Sequence, residues 1–243
     1  MRRTSLQRIF LLTLFSSCTF SVFAQKEVVH QSLYWIRYYN ILNFNPKWSL
    51  HTEIDTRHFF VNSRQHQFIV HSRAAYRHND AWNFGAALTY SAQKPQDPNT
   101  YPRPITPELR AWQEATYSQP LSKRFTLSYR IRIEERFLST HPGHFELDQP
   151  HPFIFRHRYR AQLSYLLKEA QLAFRASDEL FVNNIQGVAL DQNRVYVSVE
   201  KRFTPALTVE VGYMNTYQHT RTPGLYYQRN NLRLTLLHTL RPL

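Results

Sequence analysis

Residues Phe125–Phe137 read FTLSYRIRIEERF, and the alternation in this stretch limits what the chain can become. Phe125, Leu127, Tyr129, Ile131 and Ile133 form one set; Thr126, Ser128, Arg130, Arg132, Glu134 and Arg136 form the other. A period of two places the sets on opposite faces of a β-strand, whereas a helix would mix charge and apolar surface all round. One face suits a core or lipid, and the other carries full charges. A strand of roughly 9–11 residues with an apolar outer face and a polar inner one is the unit of a transmembrane β-barrel.

Such a chain needs an export signal, and the first 24 residues read as one. Arg2, Arg3 and Arg8 supply the positive start, Ile9–Phe15 the apolar core, and Val22-Phe23-Ala24 a cleavage site before Gln25. A lipoprotein signal ending at Cys18 is disfavoured, because Phe15-Ser16-Ser17 lacks the aliphatic residue such signals place upstream. The division expected is a cleaved signal peptide over 1–24 and an outer-membrane barrel over 25–243. Cleavage removes the single cysteine, so disulfides play no part. It also removes three arginines, leaving 27 basic side chains against 17 acidic ones and a net charge of +10.

The alternation recurs along the chain. Trp48–Phe59 opposes Trp48, Leu50 and Ile54 to His51, Glu53, Asp55 and Arg57. His66–Arg77 sets Phe68 and Val70 against His71, Arg73 and Arg77, and Trp82–Ala92 sets Trp82, Phe84, Leu88 and Tyr90 against small polar residues. Glu108–Gln119 carries Glu108, Arg110 and Glu114 on one face, with Gln113 a blemish on the other. Phe155–Leu166 presents Arg156, Arg158 and Arg160; Gln171–Asn183 presents Arg175 and Glu179; Asp191–Arg202 presents Arg194 and Glu200. Leu207–Gln218 and Tyr226–Leu240 complete the series, while Val28–Tyr39 is strand-like with ambiguous faces. That makes eleven strands, and single-chain outer-membrane barrels have even numbers. About twelve are therefore expected, with either one strand missed or the N-terminal segment threading the lumen.

The connections support an all-β, antiparallel up-and-down barrel. Short turns alternate with longer loops, and apolar residues follow the short turns at Trp48, Trp82, Phe125, Leu172 and Leu207. Tyr90, Tyr213 and Tyr217 fall near the other strand ends, which predicts two interfacial aromatic girdles. The prolines are placed in turns, loops and the tail, outside every strand. A soluble periplasmic β-sandwich also alternates, but its strands are usually 5–6 residues long, and it rarely sets Arg at three successive positions of one face.

The inward faces hold Arg57, Arg73, Arg77, Arg110, Arg130, Arg132, Arg136, Arg156, Arg158, Arg160, Arg175, Arg194, Arg229 and Arg233. Eight acids stand against these fourteen: Glu53, Asp55, Glu108, Glu114, Glu134, Glu179, Glu200 and Glu210. The excess is expected to collect where Arg156, Arg158 and Arg160 adjoin Arg130 and Arg132, compensated by water, an anion, or Glu146 and Asp148 folded inward.

The stretches WSLHTEIDTRHF, ELRAWQEATYSQPLSKRFTLSYRIRIEERF, FRHRYRAQLSY and DQNRVYVSVEKRF resemble a domain-of-unknown-function family of Gram-negative outer-membrane β-barrels, over roughly residues 25–240. The resemblance implies an outer-membrane barrel and brings no catalytic or ligand residues with it. No cofactor is expected. Glycine is too sparse for a phosphate loop, and His51, His71 and the strand serines form no spacing that singles out a catalytic triad. His141, His144, Asp148 and His151 read as a solvated loop rather than a metal site. The basic charge faces a lumen and no nucleic-acid motif accompanies it, which leaves outer-membrane lipid as the expected partner. Three classes stay open: a passive pore for small or anionic solutes, a closed structural barrel, and a lipid-modifying enzyme.

Overall fold

A computed structural model of the chain describes residues 26–139, 143, 145, 151–184 and 189–240. The signal segment 1–24 and the loop residues His141, His144, Glu146 and Asp148 lie outside the described residues. Eleven strands follow in order, and the described residues form no helix. They are β1 (Glu27–Asn43), β2 (Trp48–Phe59), β3 (Gln65–Arg77), β4 (Trp82–Gln93), β5 (Thr106–Pro120) and β6 (Phe125–Leu138), then β7 (Phe153–Leu167), β8 (Leu172–Asn183), β9 (Leu190–Arg202), β10 (Leu207–His219) and β11 (Leu225–Leu240). Each pairs with its sequence neighbours, and β1 pairs with β11 to close the barrel.

That closing pair is parallel, with Glu27 opposite Leu225 and Leu42 opposite Leu240. Every other pair is antiparallel. Against the expected number of about twelve, the described residues form eleven strands. The even-number rule holds when first and last strands meet antiparallel, and the parallel seam removes that requirement. The N-terminal segment forms part of the wall as β1 and does not thread the interior.

The two ends of the barrel differ. At one end the connections 44–47, 78–81, 121–124, 168–171 and 203–206 are all four residues long. At the other, loops 94–105 and 139–152 are the long ones. Asn79 and Ser122 show how the short turns are fixed: the Asn79 Oδ1 accepts from the amides of Ala81 and Trp82, and the Ser122 Oγ from those of Arg124 and Phe125. Pro107 and Pro120 lie inside β5, near its start and at its end, rather than outside every strand. A ladder loses little at such terminal positions.

Outside, the wall is apolar. On β9, Val195, Val197 and Val199 are 49%, 47% and 42% exposed, and on β11 Leu232, Leu234 and Leu236 are 48%, 46% and 41% exposed. With the exposed Val211 and Tyr213 of β10 between them, these three neighbouring strands form an apolar surface that suits hydrocarbon. Toward the long-loop end it gives way to Asn193, Asn215 and Asn230, where the Asn230 Oδ1 accepts from the Asn215 amide at 3.0 Å and the Tyr213 hydroxyl at 2.7 Å. At the short-turn end, aromatic pairs cross between strands: Trp48 on Tyr76, Trp82 on Tyr117 and Phe125 on Tyr165, with ring centroids 4.8–5.0 Å apart.

Two glycines are spaces cut for interior side chains. A Cβ on Gly212 of β10 would collide with the ring and hydroxyl of Tyr196, and one on Gly85 of β4 would lie 2.5 Å from the Arg73 Nε. Tyr196 lies flat in its space with its hydroxyl donating to Glu210 at 2.8 Å.

Candidate functional site: the charged interior of the barrel

The inward residues of all eleven strands surround one cavity of about 720 Å³. At roughly 30 Å³ per water molecule, that space holds about two dozen waters. Arg73, Arg110, Arg130, Arg132, Arg156, Arg158, Arg160, Arg175 and Arg194 line it, as do Glu53, Glu114, Glu179 and Glu200. Glu134 lies on the same inward face, sealed behind guanidinium groups at 0% exposure. Arg77 is exposed at the short-turn rim, past the point where β3 faces the cavity, and leaves the inward set. Arg37 joins it.

On one side the wall carries a continuous ion network built by register. Arg130 stands opposite Arg160, Arg132 opposite Arg158, and Glu134 opposite Arg156. Glu134 accepts from Arg156 Nε and Nη2 at 2.7 and 2.5 Å and from Arg158 Nη1 at 2.7 Å, with Arg110 and Arg132 each 3.7 Å away. Glu114 accepts from Arg132 at 2.7 Å and Arg73 at 2.9 Å. Glu108 takes Arg110 at 2.8 Å and Arg136 at 2.7 Å. Glu179 takes Arg158 through both oxygens at 3.0 Å and Arg130 at 2.5 Å. Each carboxylate thus neutralises only part of the positive charge bonded to it.

The opposite side is thinner in charge. Glu210 joins Arg233 at 2.8 Å and approaches Arg37 at 3.7 Å, while Arg175 pairs with Glu200. Arg57 holds Asp55 at 2.8 Å and lies 3.7 Å above the Trp35 ring. Arg194 lies over both Trp35 and Phe181, at 5.7 and 4.5 Å, and Arg158 over Phe181 at 4.3 Å. Guanidinium groups and rings thereby alternate from β2 across to β7, giving partly desolvated cations an aromatic face. Trp112 serves Arg132 in the same way at 3.6 Å.

Among the described residues, fourteen arginines line the cavity against nine carboxylates that face it or pair with its arginines, Asp191 among them through Arg156 at 3.1 Å. Eleven of the fourteen have a carboxylate within 4.0 Å; among the described residues Arg160, Arg194 and Arg229 do not. The Arg229 guanidinium is held by three neutral amide oxygens, from Gln218, Gln96 and Gln31 at 2.5, 2.6 and 2.7 Å. The Arg160 and Arg194 side chains make no hydrogen bond among the described residues, and their Nε atoms are buried without a partner. The excess therefore does not gather on the Arg156, Arg158, Arg160 triplet as a block: Arg156 and Arg158 are paired and only Arg160 is left over. The described residues contain no cluster of His, Cys, Asp and Glu that would hold a metal.

The aromatics named from the sequence all point outward. Trp48, Trp82 and Phe125 stand at the short-turn end, and Tyr90 stands on β4 between Val70 and Leu109. Tyr213 ends the apolar run of β10. Arg37 and Trp35 lie on the one strand whose faces the alternation leaves ambiguous, whereas the interior rings Trp112, Phe181 and Tyr196 keep step with Arg110, Glu179 and Arg194 on faces it does assign. For β1 a signal existed in the odd-numbered positions Leu33, Trp35, Arg37 and Tyr39, masked by equally aromatic even-numbered ones.

Closed strands, an apolar outer wall and a charged interior together define a transmembrane β-barrel. Within that class the chain belongs to the family described as "Protein of unknown function (DUF2490)", whose profile matches residues 33–227. A solved structure of the NanC porin, in a rhombohedral crystal form, is similar over 73% of this chain and 78% of its own, with 12% sequence identity and a TM-score of 0.45. No curated protein matches this chain.

Proposed function

We propose that the protein is an outer-membrane barrel whose basic lumen passes small anions by diffusion, after export on a signal peptide over residues 1–24. The observation that carries the reading is the cation excess around the 720 Å³ cavity, with the Arg160 and Arg194 side chains facing it without a carboxylate or a hydrogen bond among the described residues. A fixed positive charge in a narrow space attracts anions and repels cations, as charged rings do in other pores. In this reading Trp48, Trp82 and Phe125 mark one membrane surface, and Tyr90 and Tyr213 the other.

Planar bilayers with a salt gradient provide the test. Refolded protein should give discrete conductance steps, and the reversal potential should take the sign of anion preference. Cation preference would rule the reading out. Absence of conductance would favour a closed structural barrel, which the packing of guanidinium groups on Trp35 and Phe181 and the buried Glu134 network also supports. Fractionation tests the location: the protein should remain with outer membranes through alkaline carbonate extraction, and recovery in the soluble periplasmic fraction would overturn the placement.

A further inference from the structure

The three lumen arginines that have no carboxylate within 4.0 Å among the described residues are not scattered. Following the strand register across the wall, Thr116 of β5 stands opposite Arg130, Arg130 opposite Arg160, and Arg160 opposite Glu179. Glu179 stands opposite Arg194, Arg194 opposite Thr216, Thr216 opposite Arg229, and Arg229 opposite Gln31 of β1. Arg160, Arg194 and Arg229 thus occupy one row of the sheet. Thr116 is four residues from the short-turn end of β5, and Arg229 is four residues from the long-loop end of β11, so the row climbs the inner wall from one mouth toward the other.

The only carboxylate in that row is Glu179, and it is already engaged. Its oxygens accept from Arg158 twice and from Arg130, so its cross-strand neighbours Arg160 and Arg194 are left without it. At the upper end, Gln96 from the long loop 94–105 reaches over the rim to Arg229, while its carbonyl accepts from Gln31 at 2.8 Å. Amide oxygens orient that guanidinium, and no carboxylate among the described residues compensates its charge.

We propose that Arg160, Arg194 and Arg229 are successive binding positions for a small oxyanion, with Arg229 at the loop mouth and Arg160 deepest. The planar guanidinium presents paired N–H donors that match two oxygens of a phosphate or carboxylate, which a spherical chloride cannot use in the same way. Spacing the positions along a row, with Thr216 and the occupied Glu179 between them, keeps any one site from holding the ion too tightly to release it. The inference deepens the anion-pore reading and rests on it for direction of travel, although binding itself does not require conduction.

The experiment uses the refolded full barrel in micelles and inorganic phosphate as the probe, with chloride at equal ionic strength as the reference. Titration calorimetry should detect phosphate binding to the parent, and phosphate should reduce any chloride current. The Arg160→Gln, Arg194→Gln double variant should bind phosphate about tenfold more weakly or worse. Arg194→Lys should retain part of the affinity, and Arg77→Gln at the exposed rim should behave as the parent. Unchanged phosphate affinity in a folded double variant, or no phosphate binding to the parent, would overturn the assignment. The two readings fail separately. Conduction with anion selectivity untouched by the double variant sinks the row and spares the pore, whereas phosphate binding without conduction supports the row and sinks the pore.

Discussion

Replacing Glu134 by Gln isolates what the ion network contributes. The carboxylate is 0% exposed and accepts three hydrogen bonds of 2.5–2.7 Å from Arg156 and Arg158. The amide keeps the shape, removes the charge, and turns an NH2 group toward guanidinium donors. Removing one partner of a buried ion pair costs about 3–5 kcal/mol, because the remaining charge stays desolvated. Arg156 retains Asp191 at 3.1 Å and Arg158 retains Glu179 at 3.0 Å, which places the expected loss near the lower end, about 3 kcal/mol. Arg160→Gln provides the contrast. It removes a cation that has no carboxylate partner among the described residues, so stability should stay within about 1 kcal/mol of the parent or rise. Equilibrium urea unfolding in phospholipid vesicles, followed by tryptophan fluorescence, measures both. Glu134→Gln within 1 kcal/mol of the parent, or equal losses in the two variants, would refute the view that this carboxylate neutralises the wall.

On the lipid side, Ile131→Arg puts a charge at a half-exposed outward position of β6 and should cost about 2–4 kcal/mol in the same assay if that position meets the bilayer midplane; no loss would mean the outward face is misassigned. Gly212→Val should be destabilising by about 1–3 kcal/mol, since the new side chain displaces the rigid Tyr196 ring and with it the bond to Glu210. A Tyr196→Ala, Gly212→Val double variant should recover part of that loss, and failure to do so would mean the ring does not need the space.

Much of the wall was legible in the sequence because its two faces differ so strongly. In β6 and β7 Arg and Glu alternate with Ile, Tyr and Leu, and either face alone determines the other. β1 was not legible, because it turns Trp35 inward and Tyr34, Ile36 and Tyr38 outward, so both faces are aromatic and apolar. The site was harder still. Alternation places Glu179, Arg160 and Arg194 on the inner wall but does not decide which cation a carboxylate takes. Glu179 bonds to Arg158 and Arg130, which are not opposite it in register, because long guanidinium side chains reach diagonally across the sheet. The reach of Gln96 to Arg229 joins residues 133 positions apart and leaves no periodic trace.

The seam between β1 and β11 joins the most distant parts of the barrel sequence. The other pairs are hairpins between sequence neighbours, whereas β1 and β11 are separated by nine strands, and loop-closure entropy makes such a contact slow to form. Parallel pairing is slightly weaker per residue, and this seam has the longest ladder in the barrel, from Glu27 to Leu42. Until it forms, two long strands lie open at their edges, available to any other strand that arrives first. Assembly of this barrel is therefore a race between ring closure and edge capture, and the length of the seam biases that race toward the ring.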